Sequence, residues 1–241
     1  MITAKLGGLD LEVVGEKPNN MPNWLWDFEA RPISEDDKDN LKSYERISKR
    51  GFKGSLYKTD EFINQHPFGT VPAGFVGDEH LGVFESNSIL RAVARECKDK
   101  TLYGGEDINL KSRIDSYLDA NLVFSREFQV YLLELEDITK YTYERTKSAY
   151  QFYMDGLENS LSKNNFLAGD SLSIADISFV CEFAQFLREG HYLNQLKSKN
   201  LSLISENFQT DYPLTFKHFK NLCNKKEFSD VMGTYLDWYK M

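Results

Sequence analysis

Positive charge is in short supply. The 241-residue chain carries 29 Lys and Arg against 37 Asp and Glu, a formal net charge of −8. Binding to a nucleic-acid backbone needs clustered cations to displace condensed counterions, so no nucleic-acid partner is expected. A local pocket for a small anion remains open. Cysteine is scarce as well: Cys97, Cys181 and Cys223 are odd in number and far apart. With no CxxC and no Cys/His cluster, they suggest neither a disulfide framework nor a zinc site, and no metal is expected. They read as buried or partly buried thiols. Long apolar runs are missing. None approaches the ~18 residues of a membrane span, and the first residues do not form a signal peptide. Internal repeats and low-complexity tracts are lacking too. These absences predict a cytoplasmic protein in a reducing setting, with no membrane partner.

What the chain has is core material. Hydrophobic residues make up 41% and aromatics 14%, enough for two ordinary domains. The first half mixes short apolar runs with Gly and Pro. Leu9 to Val14, "LDLEVV", alternates like a half-buried strand. A long polar connection follows, holding Pro18, Pro22 and Pro32. Trp24, Trp26 and Phe28 inside it read as packing anchors or as a wall of a ligand pocket. Ser55 to Pro67 reads as a short helix, and "TVPAGFV" and "LGVFES" as strands joined by the turn "GDEH". From Ser86 the period becomes helical, with Ile89, Leu90 and Val93 on one face. Glu96 to Ile108 reads as the interdomain connection. Beyond it the pattern is helical throughout. The domains expected are residues 1–95, with an insert at about 18–50, and an all-helical 103–241.

Two segments carry specific signals. In "GDSLSIADI", Ser173 stands as N-cap and Asp176 three residues on, the spacing of a capping box. That pair is read as a folding device rather than a catalytic one. In "HPFGTVPAGF", Pro72 has no N–H for a sheet ladder, yet it stands just ahead of a strand.

The residues around Pro72 carry a family resemblance. "HPFGTVP" resembles the "NP-x-G-K-VP" signature of the glutathione transferase family. "GVFESNSILRAVA" resembles its "L-x-ES-x-AI-x-x-Y-L" signature, and "NNFLAGDSLSIADISF" its helical-domain capping segment. The match runs from about Leu9 to the end, and is similar also to the glutathione-transferase-like part of the gamma subunit of elongation factor one B. The resemblance implies an α/β thioredoxin-like N-terminal domain, lacking its first strand or keeping only a reduced one, followed by an all-α C-terminal domain. It implies that Pro72 is the family's cis-proline and that Val71 offers its backbone to the cysteinyl part of glutathione. Glu85 and Ser86 would hold the γ-glutamyl end, with Ser86 at a helix start that favours a carboxylate. Lys58 or another base would meet the glycyl carboxylate.

The start of the chain departs from the family. Met1 to Leu6 read either as the last turns of the family's first helix or as a short strand. Either way, no Ser, Cys or Tyr stands where the family activates the glutathione sulfur, and Thr3 is the only hydroxyl near the start. The catalytic residue is therefore unknown. The lost strand leaves sheet edges that a dimer or the Pro18–Asn40 insert would cover. Two functions follow. One is a homodimeric glutathione transferase that uses glutathione as cosubstrate on a small electrophile. Tyr117, Asn121, Phe124 and the Tyr141–Tyr143 region are then candidates for its second pocket or for core packing; Arg113 and Asp115 lie where the family's first long helix faces the site and the dimer partner, and read equally as surface ion pairs. The other is a non-catalytic binding or scaffold module with a vestigial glutathione site.

Overall fold

A computed structural model of the chain describes residues 1–47, 54–233 and 235–236. In chain order the elements begin with α1 (Ile2–Gly7), β1 (Trp24–Trp26), β2 (Arg31–Pro32), α2 (Leu41–Tyr44) and β3 (Glu45–Ile47). Next come β4 (Ser55–Lys58), α3 (Asp60–Gln65), β5 (Ala73–Val76), β6 (Leu81–Phe84) and α4 (Ser86–Glu96). The rest is helical: α5 (Ile108–Glu134), α6 (Lys140–Leu161), α7 (Ile174–Phe186), α8 (Leu193–Ser198), α9 (Phe208–Asp211), α10 (Pro213–Cys223) and α11 (Lys226–Met232). The chain forms two compact units, Leu11–Ala92 and Met1–Asp10 with Val93–Met241. The division thus falls inside α4, and the first ten residues join the helical unit.

In the strand-bearing unit, β4 lies between β1 and β3 in a sheet ordered β2-β1-β4-β3. β1 runs parallel to β4, with Leu25 opposite Tyr57 and Trp26 opposite Lys58. The insert therefore supplies the strands on both sides of β4. Trp26 and Leu56 enter the core with Met21 and Phe62, and Trp24, Ala73 and Phe75 pack against it. The aromatic run of the insert is packing. The alternating Leu9–Val14 does not join this sheet. The structure gives it no strand, and Leu11, Val13 and Val14 stay exposed.

The insert is pinned by Asp37. Its buried carboxylate accepts both forks of Arg31 at 2.7 and 2.8 Å, the Ser34 N–H at 2.6 Å and the Ser34 hydroxyl at 2.7 Å. The Arg31 hydrogen bonds, then those of Ser34, hold this carboxyl far below the usual carboxylate range.

Ser55 to Pro67 divides into strand and helix instead of forming one helix. Leu56 and Lys58 are buried on alternate positions, which is strand geometry. Thr59 then caps α3, its hydroxyl accepting the Phe62 N–H at 3.2 Å. The end of α3 lies hard against the β5–β6 hairpin. A Cβ built on Gly82 would collide with the carbonyl oxygen of Gln65. Gly82→Ala is therefore expected to destabilise the strand-bearing unit by roughly 2 kcal/mol or more, because backbone must move. Denaturant unfolding followed by tryptophan fluorescence reads this directly. A wild-type midpoint would contradict the close approach.

The helical unit holds most of the aromatic core. Phe124, Phe128, Tyr131, Phe179, Phe183, Phe186, Phe219 and Phe228 are all below 2% exposed. α5 begins at Asp107, whose carboxylate accepts the N–H groups of Asn109 and Leu110 at 2.9 and 3.0 Å. It packs on α6 and α7. The helical alternative for Met1–Leu6 is the one realised. α1 packs against α7 and α11, and Gly7 sits so close to Cys97 that a Cβ would meet its sulfur. The Gly7 carbonyl accepts the Lys98 N–H at 2.8 Å. The stretch after Glu96 is no free linker either: Leu102 and Tyr103 are buried, and the turn they form packs on α1 and α5.

α7 starts with the capping box. The Ser173 hydroxyl accepts the Ala175 N–H at 3.3 Å, and Asp176 accepts the Ser173 N–H at 2.9 Å. Cys97 and Cys223 are buried and Cys181 half-buried. Burial pushes the Cys181 and Cys223 thiols up to about 12 and raises Cys97 too, so none is a thiolate at neutral pH. Among the described residues no helix is long and apolar enough to cross a membrane, and no group of three or more His, Cys, Asp or Glu could hold a metal ion.

Candidate functional site

The four residues singled out from the sequence meet at one end of the hairpin. Ala73 pairs with Phe84, so Pro72 and Glu85 come next, followed by Val71 and Ser86. All four are exposed. The Val71–Pro72 peptide is cis. Val71 enters no backbone hydrogen bond among the described residues, so its N–H and C=O stand as an open edge.

Glu85 adopts φ 66°, the left-handed region that non-glycine residues rarely visit. Its carbonyl accepts the N–H groups of Ser88 and Ile89, both at 3.0 Å, and so starts α4. Ser86 therefore sits in the first turn of an 11-residue helix. Its backbone N–H makes no hydrogen bond among the described residues and lies at the positive end of the helix dipole. The corner thus offers an unpaired strand edge, a hydroxyl and an N–H suited to a carboxylate, and a carboxylate suited to a cation.

Two residues brace the loop that carries Val71. His66 is fully buried and stacks on Phe84, ring centroids 4.8 Å apart. Its Nε2 lies 3.3 Å from the Thr70 hydroxyl. Burial, helped by Lys58, lowers its pKa, so the ring is neutral at pH 7. Lys58 is itself buried and donates to the Gly69 carbonyl at 2.5 Å. Burial, then Arg46, lowers the pKa of its ammonium. One donor of the Lys58 ammonium is thus taken by the loop. The brace was missed in the sequence. Its only signals there are the "HPFG" turn and the burial rhythm of β4.

The candidates in the helical unit separate. Asn121 and Phe124 are core residues, with the Asn121 amide donating to Ser178 Oγ at 2.7 Å. Tyr143 is buried and donates to the Ser202 carbonyl at 3.1 Å, while Tyr141 is exposed. Asp115 accepts the Tyr103 hydroxyl at 3.0 Å. Arg113 and Tyr117 border a shallow groove of about 390 Å3 along α5. The Arg113 guanidinium lies 5.5 Å from the Tyr117 ring centroid, and the Tyr117 hydroxyl donates to Ser160 Oγ at 2.6 Å.

Comparison with known proteins gives a consistent picture. Residues 128–226 match the family model of the glutathione S-transferase C-terminal domain. The chain is 29% identical over 198 residues to elongation factor 1-gamma 1 of Oryza sativa subsp. japonica, which covers 78% of this chain and 42% of that protein. It is 26% identical over 183 residues to elongation factor 1-gamma of Rattus norvegicus, covering 75% and 38%. The chain spans about two-fifths of the length of these curated relatives. Among solved structures, the glutathione transferase of Phanerochaete chrysosporium in complex with oxidized glutathione aligns with TM-score 0.62 at 17% identity, over 98% of this chain and 90% of that one. Glutathione S-transferase-I bound with lactoylglutathione aligns with TM-score 0.60 at 18% identity, over 95% and 90%. These likenesses show the fold.

Proposed function

We infer that this chain, which has the glutathione S-transferase fold and carries that family's C-terminal domain, binds glutathione at the Val71–Ser86 corner of its strand-bearing unit. The observation that carries the reading is the convergence of an open backbone edge at Val71 with the start of α4 at Ser86. Glutathione is an extended peptide with a zwitterionic γ-glutamyl head. Its cysteinyl unit would pair with Val71 as an added strand does. Its γ-glutamyl carboxylate would sit on the Ser86 N–H and hydroxyl, and its ammonium would face Glu85. Solved transferases of this fold bound to glutathione or its derivatives support the same reading.

As a cosubstrate, glutathione would lose its thiol proton to solvent. The thiolate would attack a small electrophile, and the leaving group would depart with the bonding electron pair. The chain's contribution is to bind and orient the tripeptide. A sulfur-activating side chain is a separate matter. Thr3 is 1% exposed within the helical unit, and burial keeps the three thiols protonated. This favours a second reading, a glutathione-binding module without efficient transfer. A homodimer and a cytoplasmic setting belong to either reading. The first is supported by exposed apolar side chains at Val123, Val130 and Leu133 on α5 and at Tyr141 and Phe152 on α6.

Retention on immobilised glutathione tests binding, and loss of retention would overturn the site. Turnover of a generic electrophile across pH tests activation. Without an activating group, the rate is expected to rise about tenfold per pH unit toward the free thiol pKa of ~8.5. A rate already level near pH 7 would show a lowered thiol pKa and establish a true transferase.

A further inference from the structure

The helical unit contains a second cavity, of about 190 Å3, between α6 and the segment from Ser202 to Tyr212. It is separate from the residues assigned to glutathione. Tyr143, Lys147 and Tyr150 form its α6 wall, at the i, i+4, i+7 spacing of one helical face. The opposite wall is fixed from behind by Glu189. That fully buried carboxylate accepts the Tyr131 hydroxyl at 2.7 Å, the Ile204 N–H at 3.1 Å, the Ser205 N–H at 2.8 Å and the Ser205 hydroxyl at 2.6 Å. Tyr143 ties the two walls through the Ser202 carbonyl. The cavity is built by the fold itself, which lowers the ordering cost of binding.

Its lining is polar and carries both signs of charge. Tyr150 is 4% exposed, and its hydroxyl oxygen is buried without a hydrogen-bond partner among the described residues. A buried polar atom left unpaired costs roughly 1–3 kcal/mol, which a bound acceptor would relieve. Burial first, then Tyr212, Glu189 and Asp211, raise the Tyr150 pKa, so the group is an O–H donor at any physiological pH. Lys147 is half-buried and makes no ion pair among the described residues. Glu206 and Asp211 stand on the other wall. A simple anion would meet the two carboxylates, and a simple cation would meet the ammonium. The volume is a little larger than the ~150 Å3 cavity that accommodates benzene, which limits the ligand to a few more heavy atoms than benzene.

We propose that this cavity binds a small zwitterion of free-amino-acid size, with its carboxylate on Lys147 and the Tyr150 hydroxyl and its ammonium toward Asp211 and Glu206. Calorimetric titration of the full chain with glycine, serine and glutamate, and with glycerol as an uncharged control, tests it. At least one amino acid is expected to bind at millimolar concentration while glycerol does not. Tyr150→Phe and Lys147→Gln are each expected to weaken that binding by about tenfold, the value of one hydrogen bond to a charged group. Tyr150→Phe should melt no lower than the wild type, because the hydroxyl it removes has no partner to lose. Absence of amino-acid binding, equal binding of glycerol, or unchanged affinity in both variants would overturn the proposal.

Discussion

Asp176→Ala is expected to destabilise the helical unit by about 4 kcal/mol, lowering its melting temperature by ~10 °C. The carboxylate is 0% exposed and has four donors. One oxygen accepts the Leu167 N–H and His218 Nε2–H, both at 2.9 Å. The other accepts the Ser173 N–H at 2.9 Å and its hydroxyl at 3.0 Å. Alanine would leave these donors buried with no water to replace the acceptor, and that penalty exceeds the worth of the bonds themselves. Ser173→Ala is the control. It removes the hydroxyl but leaves Asp176 with three donors, so it should cost only ~1 kcal/mol, the usual value of a cap. Denaturant unfolding of both variants decides the matter. If Asp176→Ala costs no more than Ser173→Ala, the carboxylate is a helix cap and nothing else.

The same residue measures how far the sequence could be read. The spacing of Ser173 and Asp176 gives the bond from the Ser173 N–H to Asp176 and that from a first-turn N–H to the Ser173 hydroxyl, because a capping box is local chemistry. Leu167 and His218 are invisible to that reasoning: a backbone N–H carries no sequence signal, and His218 arrives from α10, 42 residues away. The strand-bearing unit repeats the contrast. The turn at Gly77 and the strands around it follow from local residues. The fate of Leu9–Val14 does not: it alternates as a half-buried strand would, yet the structure gives it no strand. Strand pairing is a competition between segments, and periodicity describes only one competitor. The candidate site lies between these cases. Pro72 and the start of α4 are written in short motifs, whereas the Lys58–Gly69 bond that steadies their loop depends on burial. The burial of Lys58 and of Thr3 likewise depends on the fold and not on local sequence.

Ser86→Asp is expected to abolish glutathione retention, with affinity falling at least ~100-fold, while leaving the fold intact or slightly more stable. The two effects have opposite signs because they share one cause. The start of α4 is the positive end of a helix, so an aspartate in its first turn gains about 0.3–1 kcal/mol. The same aspartate would occupy the place proposed for the γ-glutamyl carboxylate. Two like charges about 4 Å apart near a protein surface repel by up to ~4 kcal/mol, enough for a loss of two to three decades. Ser86→Ala separates charge from hydrogen bonding. It removes one hydroxyl but keeps the backbone N–H and the dipole, so its affinity should fall only about tenfold. Calorimetry with glutathione, paired with thermal melting, reads both quantities on the same samples. Retention of Ser86→Asp on immobilised glutathione would mean that the γ-glutamyl carboxylate lies elsewhere, and the assignment of this corner would fail even though its geometry stands.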